Sequence, residues 1–368
     1  MKRFLQIISI ILALALFAGL TACASLGGER IEVALVTDIS DIDDKSYNQY
    51  AWEGVKQYCE EKHVSYDFYR PEYKKTQNMI EAIDRAVKKG AKIIICPNEN
   101  QKDAVEQAQE KYPKVKFVLL NGKMSKVMPN TYQINFSELE IGFLAGYTAV
   151  MEGYRNLGFQ GGVKNEKNEN CGLGFIQGVQ FAAYELGLSN GEVSIRYNYA
   201  NTSATSPDTQ ARAQNWYDSS TQAIFVSERG PLASVISVAE GCPNKVVIGC
   251  NLDRSMLSST VLTTSKKMME DVIYNTLEDF YSNKFKGGKA VVLGCKENGI
   301  DIELENSKLQ NFDYEDSMHI KYILANNVNS IKDYMLTSED FKKIPLETTG
   351  DFSLAFPQMN IIIEYVKC

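Results

Sequence analysis

Short runs of β-branched and apolar residues alternate with longer stretches of helical periodicity, and the alternation runs through the chain twice. Repeated strand-then-helix order builds parallel sheets with helices on both faces. In the first round Ile31–Thr37, Val64–Tyr69, Lys92–Cys96, Lys116–Leu120 and Thr131–Asn135 read as strands. Ser46–Lys62, Asn78–Lys89, Gln101–Lys111 and Glu138–Met151 read as helices. Over 46–62, Tyr47, Ala51, Val55 and Cys59 share one face, and Ser46 with Gln49 has the spacing of a capping box. The second round opens at Gly158–Val163 and continues with strands over Val193–Tyr199, Ala223–Ser227, Val246–Cys250 and Val261–Thr264. Its helices are expected over Cys171–Leu186, Asp208–Tyr217, Pro231–Glu240 and Lys267–Phe285. The tail from Asp313 is less regular, with Ile320–Leu324 and Ile361–Val366 as late strands. The expected fold class is α/β: two lobes, each a parallel sheet covered by helices, with a cleft between them. In open α/β sheets ligands bind beyond the carboxyl ends of the strands, so the loops there should carry the chemistry.

The first residues point to a location. Lys2 and Arg3 precede a mostly apolar run from Phe4 to Leu20, which ends in Leu20-Thr21-Ala22-Cys23. That run is short for a membrane-spanning helix, and its small-residue exit fits signal processing. Residues 1–22 therefore read as a signal peptide, Cys23 as a lipidated cysteine carrying palmitate-type chains, and 23–30 as a tether. The protein is expected on the extracytoplasmic face of the cell membrane, since several acyl chains anchor stably where one does not.

Losing Lys2 and Arg3 with the leader takes the formal charge from -7 to -9. An acidic balance argues against a nucleic-acid partner. Cys59, Cys96, Cys171, Cys242, Cys250, Cys295 and Cys368 follow Cys23, an odd number without a C-x-x-C pair, so neither zinc nor a full disulfide framework is expected. Only His63 and His319 are present, which leaves little material for histidine-based catalysis. No G-x-S-x-G elbow or P-loop occurs, and the acidic loop Asp38, Asp41, Asp43, Asp44 lacks the EF-hand pattern. No enzyme activity, metal or cofactor is expected. Gly161-Gly162 reads as a strand-exit turn in preference to a phosphate cradle. Trp52 and Trp216 read as packing residues.

The strongest site signal is the exit of the first strand, Thr37 to Gln49. Asp38 offers carboxylate oxygens, Tyr47 an aromatic face, and Asn48 a donor and an acceptor. Such a set suits a planar polar heterocycle, stacked on the ring and read at its edges. The same residues also suit an acidic solvated loop with a helix cap.

Thr37-Asp38, then Asp44-Lys45-Ser46-Tyr47-Asn48, then Glu53-Gly54 resemble the first-strand signature of the basic membrane protein family, the substrate-binding lipoproteins of ABC transporters. Several of these bind purine nucleosides. Asn135-Phe136-Ser137-Glu138 with Glu140, Gly142-Phe143-Leu144-Ala145-Gly146, Gly158-Phe159 with Gly161-Gly162, and Gly174-Phe175 with Gly178-Val179 continue the resemblance in order. Ile248-Gly249 with Asp253, and Val261-Leu262-Thr263-Thr264-Ser265 with Lys267, complete it. The resemblance implies a type I periplasmic-binding-protein fold with a hinge, a small-molecule ligand with nucleoside favoured, ABC permease subunits as partners, and a monomer. It implies that Asp38, Tyr47 and Asn48 contact the base. It puts the family's ribose-binding carboxylate on Asn251 and its lysine on Lys267, with Asp253 beside them. An amide at 251 makes a weaker diol clamp than a carboxylate, because charge-assisted bonds are the stronger ones.

Several segments depart from the family. The second aromatic that would sandwich the base belongs near Ala200–Ser206, which holds none; Tyr199 and Trp216 lie nearby. A glycine-rich turn is replaced by Ser227-Glu228-Arg229-Gly230, where Arg229 is a candidate polar contact. Pro97-Asn98-Glu99-Asn100 also differs. Lobe 1 is expected over 31–153 plus about 266–287, and lobe 2 over 154–265 plus about 288–368. The alternatives are a sugar or other small polar ligand, or a sensing lipoprotein that passes its closed form to a receptor.

Overall fold

In a computed structural model the described residues are 30–341 and 361–366. The leader, Cys23 and Cys368 lie outside them, as do 342–360 of the tail. Thirteen strands appear among the described residues: β1 (Val33–Val36), β2 (Tyr66–Tyr69), β3 (Ile93–Cys96), β4 (Lys116–Leu120), β5 (Thr131–Phe136), β6 (Asn156–Gly161), β7 (Val193–Tyr199), β8 (Ala223–Val226), β9 (Val246–Asn251), β10 (Val261–Lys267), β11 (Lys289–Leu293), β12 (Ile300–Ile302) and β13 (Ile361–Tyr365). The main helices are α1 (Tyr47–Lys62), α2 (Thr76–Lys89), α3 (Lys102–Lys111), α4 (Glu138–Met151), α5 (Glu166–Glu185), α6 (Pro207–Asp218), α7 (Arg229–Ala239), α8 (Met269–Tyr281) and α9 (Tyr314–Asn326).

The strands form two sheets, ordered β11-β5-β4-β3-β1-β2 and β12-β10-β9-β8-β6-β7-β13. Pairing is parallel from β2 through β1, β3 and β4 to β5. It is parallel through most of the second sheet too, with β12 antiparallel to β10. Every residue of β1 and of β3 is buried. That explains why these strands read as unbroken apolar runs: a parallel sheet covered on both faces has no wet side on which to alternate. In the first sheet Ala34, Val36, Ile94, Phe117 and Leu119 pack on Met79 and Ile83 of α2 and on Ala104, Val105 and Ala108 of α3. In the second, Ile224, Val226 and Val247 pack on Trp216 of α6 and Leu232 and Val235 of α7.

Two compact units result, one of residues up to Ile134 with Glu270–Ala290, the other of Asn135–Met269 with Val291 onward. Residues 135–153 go with the second unit because α4 and α5 cross at backbone contact. A Cβ on Gly142 would lie 1.8 Å from the Cys171 carbonyl oxygen, and one on Gly174 would lie 1.9 Å from that of Leu139. Gly146 and Gly178 meet Phe175 and Phe143 in the same way, at 2.2 and 2.0 Å. Glycine is required at all four positions for the axes to approach this closely. Lys266 and Lys267 also belong to the second unit. They extend β10 in place of opening a helix, with Lys266 opposite Asn251 and Lys267 opposite Ile300.

Two further expectations are corrected. Ile320–Leu324 is not a strand but part of α9. Asp313 caps that helix by accepting from the backbone N–H groups of Glu315 and Asp316, and Asn327 ends it in the left-handed region at φ 49°. These end signals override the β-branched run between them. The Ser46 hydroxyl makes no cap bond to α1. Asp44 stands in for it: its Oδ1 accepts from Ser46 N at 2.7 Å and Gln49 N at 3.3 Å. A carboxylate is the stronger acceptor for these N–H groups. The late strand at the chain's end does form, as β13 parallel to β7.

Candidate functional site

The carboxyl ends of β1 and β3 carry a connected polar network in the first unit. Asp38 Oδ1 accepts from the Asn48 side-chain amide at 2.8 Å and from Ser40 N at 2.7 Å. Asn48 Nδ2 also donates to Asp44 Oδ2 at 3.1 Å. The Asn48 carbonyl accepts from Asp38 N at 3.3 Å and from Asn98 Nδ2 at 2.8 Å. Asn48 is fully buried, and two donated and two accepted bonds use the full capacity of its amide. Its amide is engaged in holding the loop. Asp38 is half-buried, and its Oδ2 receives no hydrogen bond among the described residues. The network fixes one carboxylate oxygen and leaves the other as an acceptor at the strand end. Gln101 braces it from below, donating to Val36 O at 2.6 Å and Thr37 O at 3.0 Å, and accepting from Asn98 N at 2.9 Å. Arg70 pins the outer part of the loop through Ile39 O at 2.7 Å and Asp41 at 3.1 Å. Tyr47 is half-buried at the first position of α1.

In the second unit the expected residues sit at the ends of β8, β9 and β10. Asn251 closes β9 in the left-handed region at φ 72°. Its Nδ2 donates to Ser227 O at 3.4 Å, and its Oδ1 is buried without a partner among the described residues. Asp253 accepts from Ser255 N at 2.8 Å, an Asx turn, and from Asn306 Nδ2 at 3.5 Å. Lys267 is buried; its Nζ meets Glu138 Oε1 at 2.8 Å and lies 5.5 Å from the centre of the Phe136 ring. Arg229 is exposed in the first turn of α7. Gly161-Gly162 forms a strand-exit turn, and the Glu228 carboxylate fills it: Oε2 accepts from Val163 N at 2.9 Å and Asn168 Nδ2 at 3.1 Å.

Neither aromatic near the Ala200–Ser206 stretch is placed for stacking on a ligand. Trp216 is 1% exposed and stands over Gly158; Tyr199 is 5% exposed and its hydroxyl bonds that of Tyr197 at 2.6 Å. Trp52 packs on Tyr66 and Phe68. The buried thiols are inert by environment. Burial pushes Cys59 up to about 12 and Cys171 well above the ordinary thiol value. Cys171 and Cys250 lie 3.7 Å apart, unlinked. Among the described residues no cluster of three or more His, Cys, Asp or Glu side chains is placed to hold a metal, and no helix is long and apolar enough to cross a membrane.

Asn98, Gln101, Glu138 and Glu228 were not anticipated as site residues. Asn98 and Gln101 carry a visible signal, since N-x-x-Q after a strand is a capping pattern, and Gln101 Oε1 accepts from Asn98 N as that pattern requires. Glu138 and Glu228 gain their roles through contacts distant in sequence.

A family model described as "ABC transporter substrate-binding protein PnrA-like" matches residues 31–333. The chain is 25% identical to the ABC transporter nucleoside-binding protein BmpA of Lactococcus lactis, over 83% of this chain and 92% of that one. It is 23% identical to basic membrane protein D of Borreliella burgdorferi, over 85% of this chain and 92% of the other. Among solved structures, an ABC transporter solute-binding protein from Conexibacter woesei superposes with a TM-score of 0.65 at 16% identity, covering 82% of this chain and 96% of its own.

Proposed function

The chain belongs to the PnrA-like family of ABC transporter substrate-binding proteins, and from that premise we propose that it captures a nucleoside or related nucleobase compound by hinge closure and delivers it to a membrane permease. Its fold is that of type I periplasmic-binding proteins, and its family binds substrates without transforming them. In this reading Cys23 carries the lipid that keeps the protein at the extracytoplasmic face of the membrane, and the protein acts as a monomer.

The observation that carries the ligand assignment is Asp38. One carboxylate oxygen is locked by Asn48 and Ser40, and the other is left to accept from a donor. A base-ring N–H or exocyclic amine supplies such a donor, and Tyr47 beside it supplies a face for stacking. Asn48, with its amide consumed, positions Asp38. In the second unit the buried Asn251 Oδ1 suits a sugar hydroxyl. Lys267 acts there through Glu138, Asp253 shapes the turn after β9, and Arg229 adds a polar contact from the surface.

A second reading, a sugar or other small polar ligand, is favoured by one observation: residues 200–206 offer no aromatic, and Tyr199 and Trp216 are buried. Calorimetry separates the two. Asp38→Asn removes a charge-assisted bond worth ~1.5–3 kcal/mol, so nucleoside affinity is expected to fall about 10- to 150-fold. Unchanged nucleoside affinity in Asp38→Asn contradicts the assignment of Asp38 to the base.

A further inference from the structure

We propose that Glu228 is a specificity-determining residue that bars phosphate-bearing ligands from the strand ends of the second unit. The inference rests on the ligand-binding reading above and narrows its substrate class to compounds without a phosphate group.

The turn after β6 is built so that something acidic lies on it. Gly162 has no side chain, and a Cβ there would fall 1.6 Å from Glu228 Oε2. The carboxylate therefore rests directly on the Gly162 backbone, where it takes the Val163 N–H and the Asn168 amide. Asn168 is itself fixed, donating to Val163 O at 2.8 Å and accepting from the Ser227 hydroxyl at 2.7 Å. These bonds hold Glu228 in place from both sides.

The same loop touches a candidate ligand residue. Asn251 Nδ2 donates to Ser227 O, the carbonyl immediately before Glu228. The unpartnered Asn251 Oδ1 thus belongs to a residue tied to the loop that carries the fixed carboxylate. Glu228 consumes the donors an anion would use and puts a negative charge in their place. Among the described residues Glu228 makes no ion pair; Arg229 beside it is exposed, and Lys164 meets Glu169 at 3.7 Å. A phosphate monoester carries about -1.5 to -2 charge at neutral pH, so on the Gly162 turn it meets like charge and finds the Val163 N–H and the Asn168 amide already taken. A nucleoside or a free sugar meets neither obstacle.

The test compares a nucleoside with its 5′-monophosphate on the full protein, its Glu228→Gln variant and its Glu228→Gly variant. Inorganic orthophosphate is added in parallel while thermal unfolding is followed. The wild type is expected to prefer the nucleoside by at least about 100-fold, and Glu228→Gln to cut that preference by at least about tenfold. Glutamine keeps the shape and an accepting oxygen, so this arm holds even where the glycine variant folds poorly. Orthophosphate is expected to raise the melting temperature of Glu228→Gly and to leave the wild type unmoved. An unchanged preference in Glu228→Gln, equal wild-type affinity for the monophosphate, or a Glu228→Gly protein indifferent to orthophosphate overturns the proposal. Wild-type protein that binds no nucleoside overturns the proposed ligand class instead, and the orthophosphate arm then judges Glu228 alone.

Discussion

Asp38 is held by residues around it. Asn48 spends its whole amide on the loop, and Asn98 orients that amide from a position fifty residues away. Lys267 is an analogous case in the second unit. Its ammonium is buried against Glu138, so losing it strands a mostly buried carboxylate. Lys267→Met is expected to destabilise the protein by ~3–5 kcal/mol, because an uncompensated buried charge costs more than the pair contributes. Adding Glu138→Gln should recover a substantial part of that loss, measured by chemical denaturation. Equal loss in the single and double variants would show that the pair is not the cause. At this scale the position of Asp38 was legible, because an acidic residue leaving a first strand is visible in one dimension. Its partners were not. Most bonds of the Asn48 amide lie outside its local sequence, and Glu138 has meaning only once β10 lies beside α4.

Among the elements, α4 and α5 show how glycine sets a crossing. Gly142 and Gly146 on one helix, and Gly174 and Gly178 on the other, remove every atom that would keep the backbones apart. An added methyl at Gly174 would overlap the Leu139 carbonyl, so the helices must separate. Gly174→Ala is expected to cost ~1–3 kcal/mol or more, the usual penalty of overpacking, despite the better helix propensity of alanine. A stabilised Gly174→Ala variant in thermal unfolding contradicts the close crossing. Most strands and helices were legible because both faces of each sheet are covered and periodicity is strong. Ile320–Leu324 was not, because a five-residue apolar run carries no period of its own and its capping signals stand outside it. Lys267 was read as opening a helix because two lysines end an apolar run; the antiparallel β12 that holds them in the sheet is invisible locally.

The molecule comprises two α/β units, and the chain passes between them after Ile134, Met269 and Ala290. The assignment of α4 follows from its tertiary contact with α5, which no local stretch of sequence shows. Each unit presents polar groups at the carboxyl ends of its strands: an acceptor at Asp38 in one, and the Asn251 and Glu228 pair in the other. In the proposed reading the ligand is rich in donors and carries no phosphate. A thermal-shift series on the purified protein tests this most directly, using nucleosides, free bases, nucleotides and simple sugars. A ligand that binds only the native state, present at about 100 times its Kd, stabilises it by ~2.7 kcal/mol. Nucleosides are expected to raise the melting temperature, and nucleotides and sugars to leave it unchanged. A rise with sugars and none with any nucleoside would contradict the account.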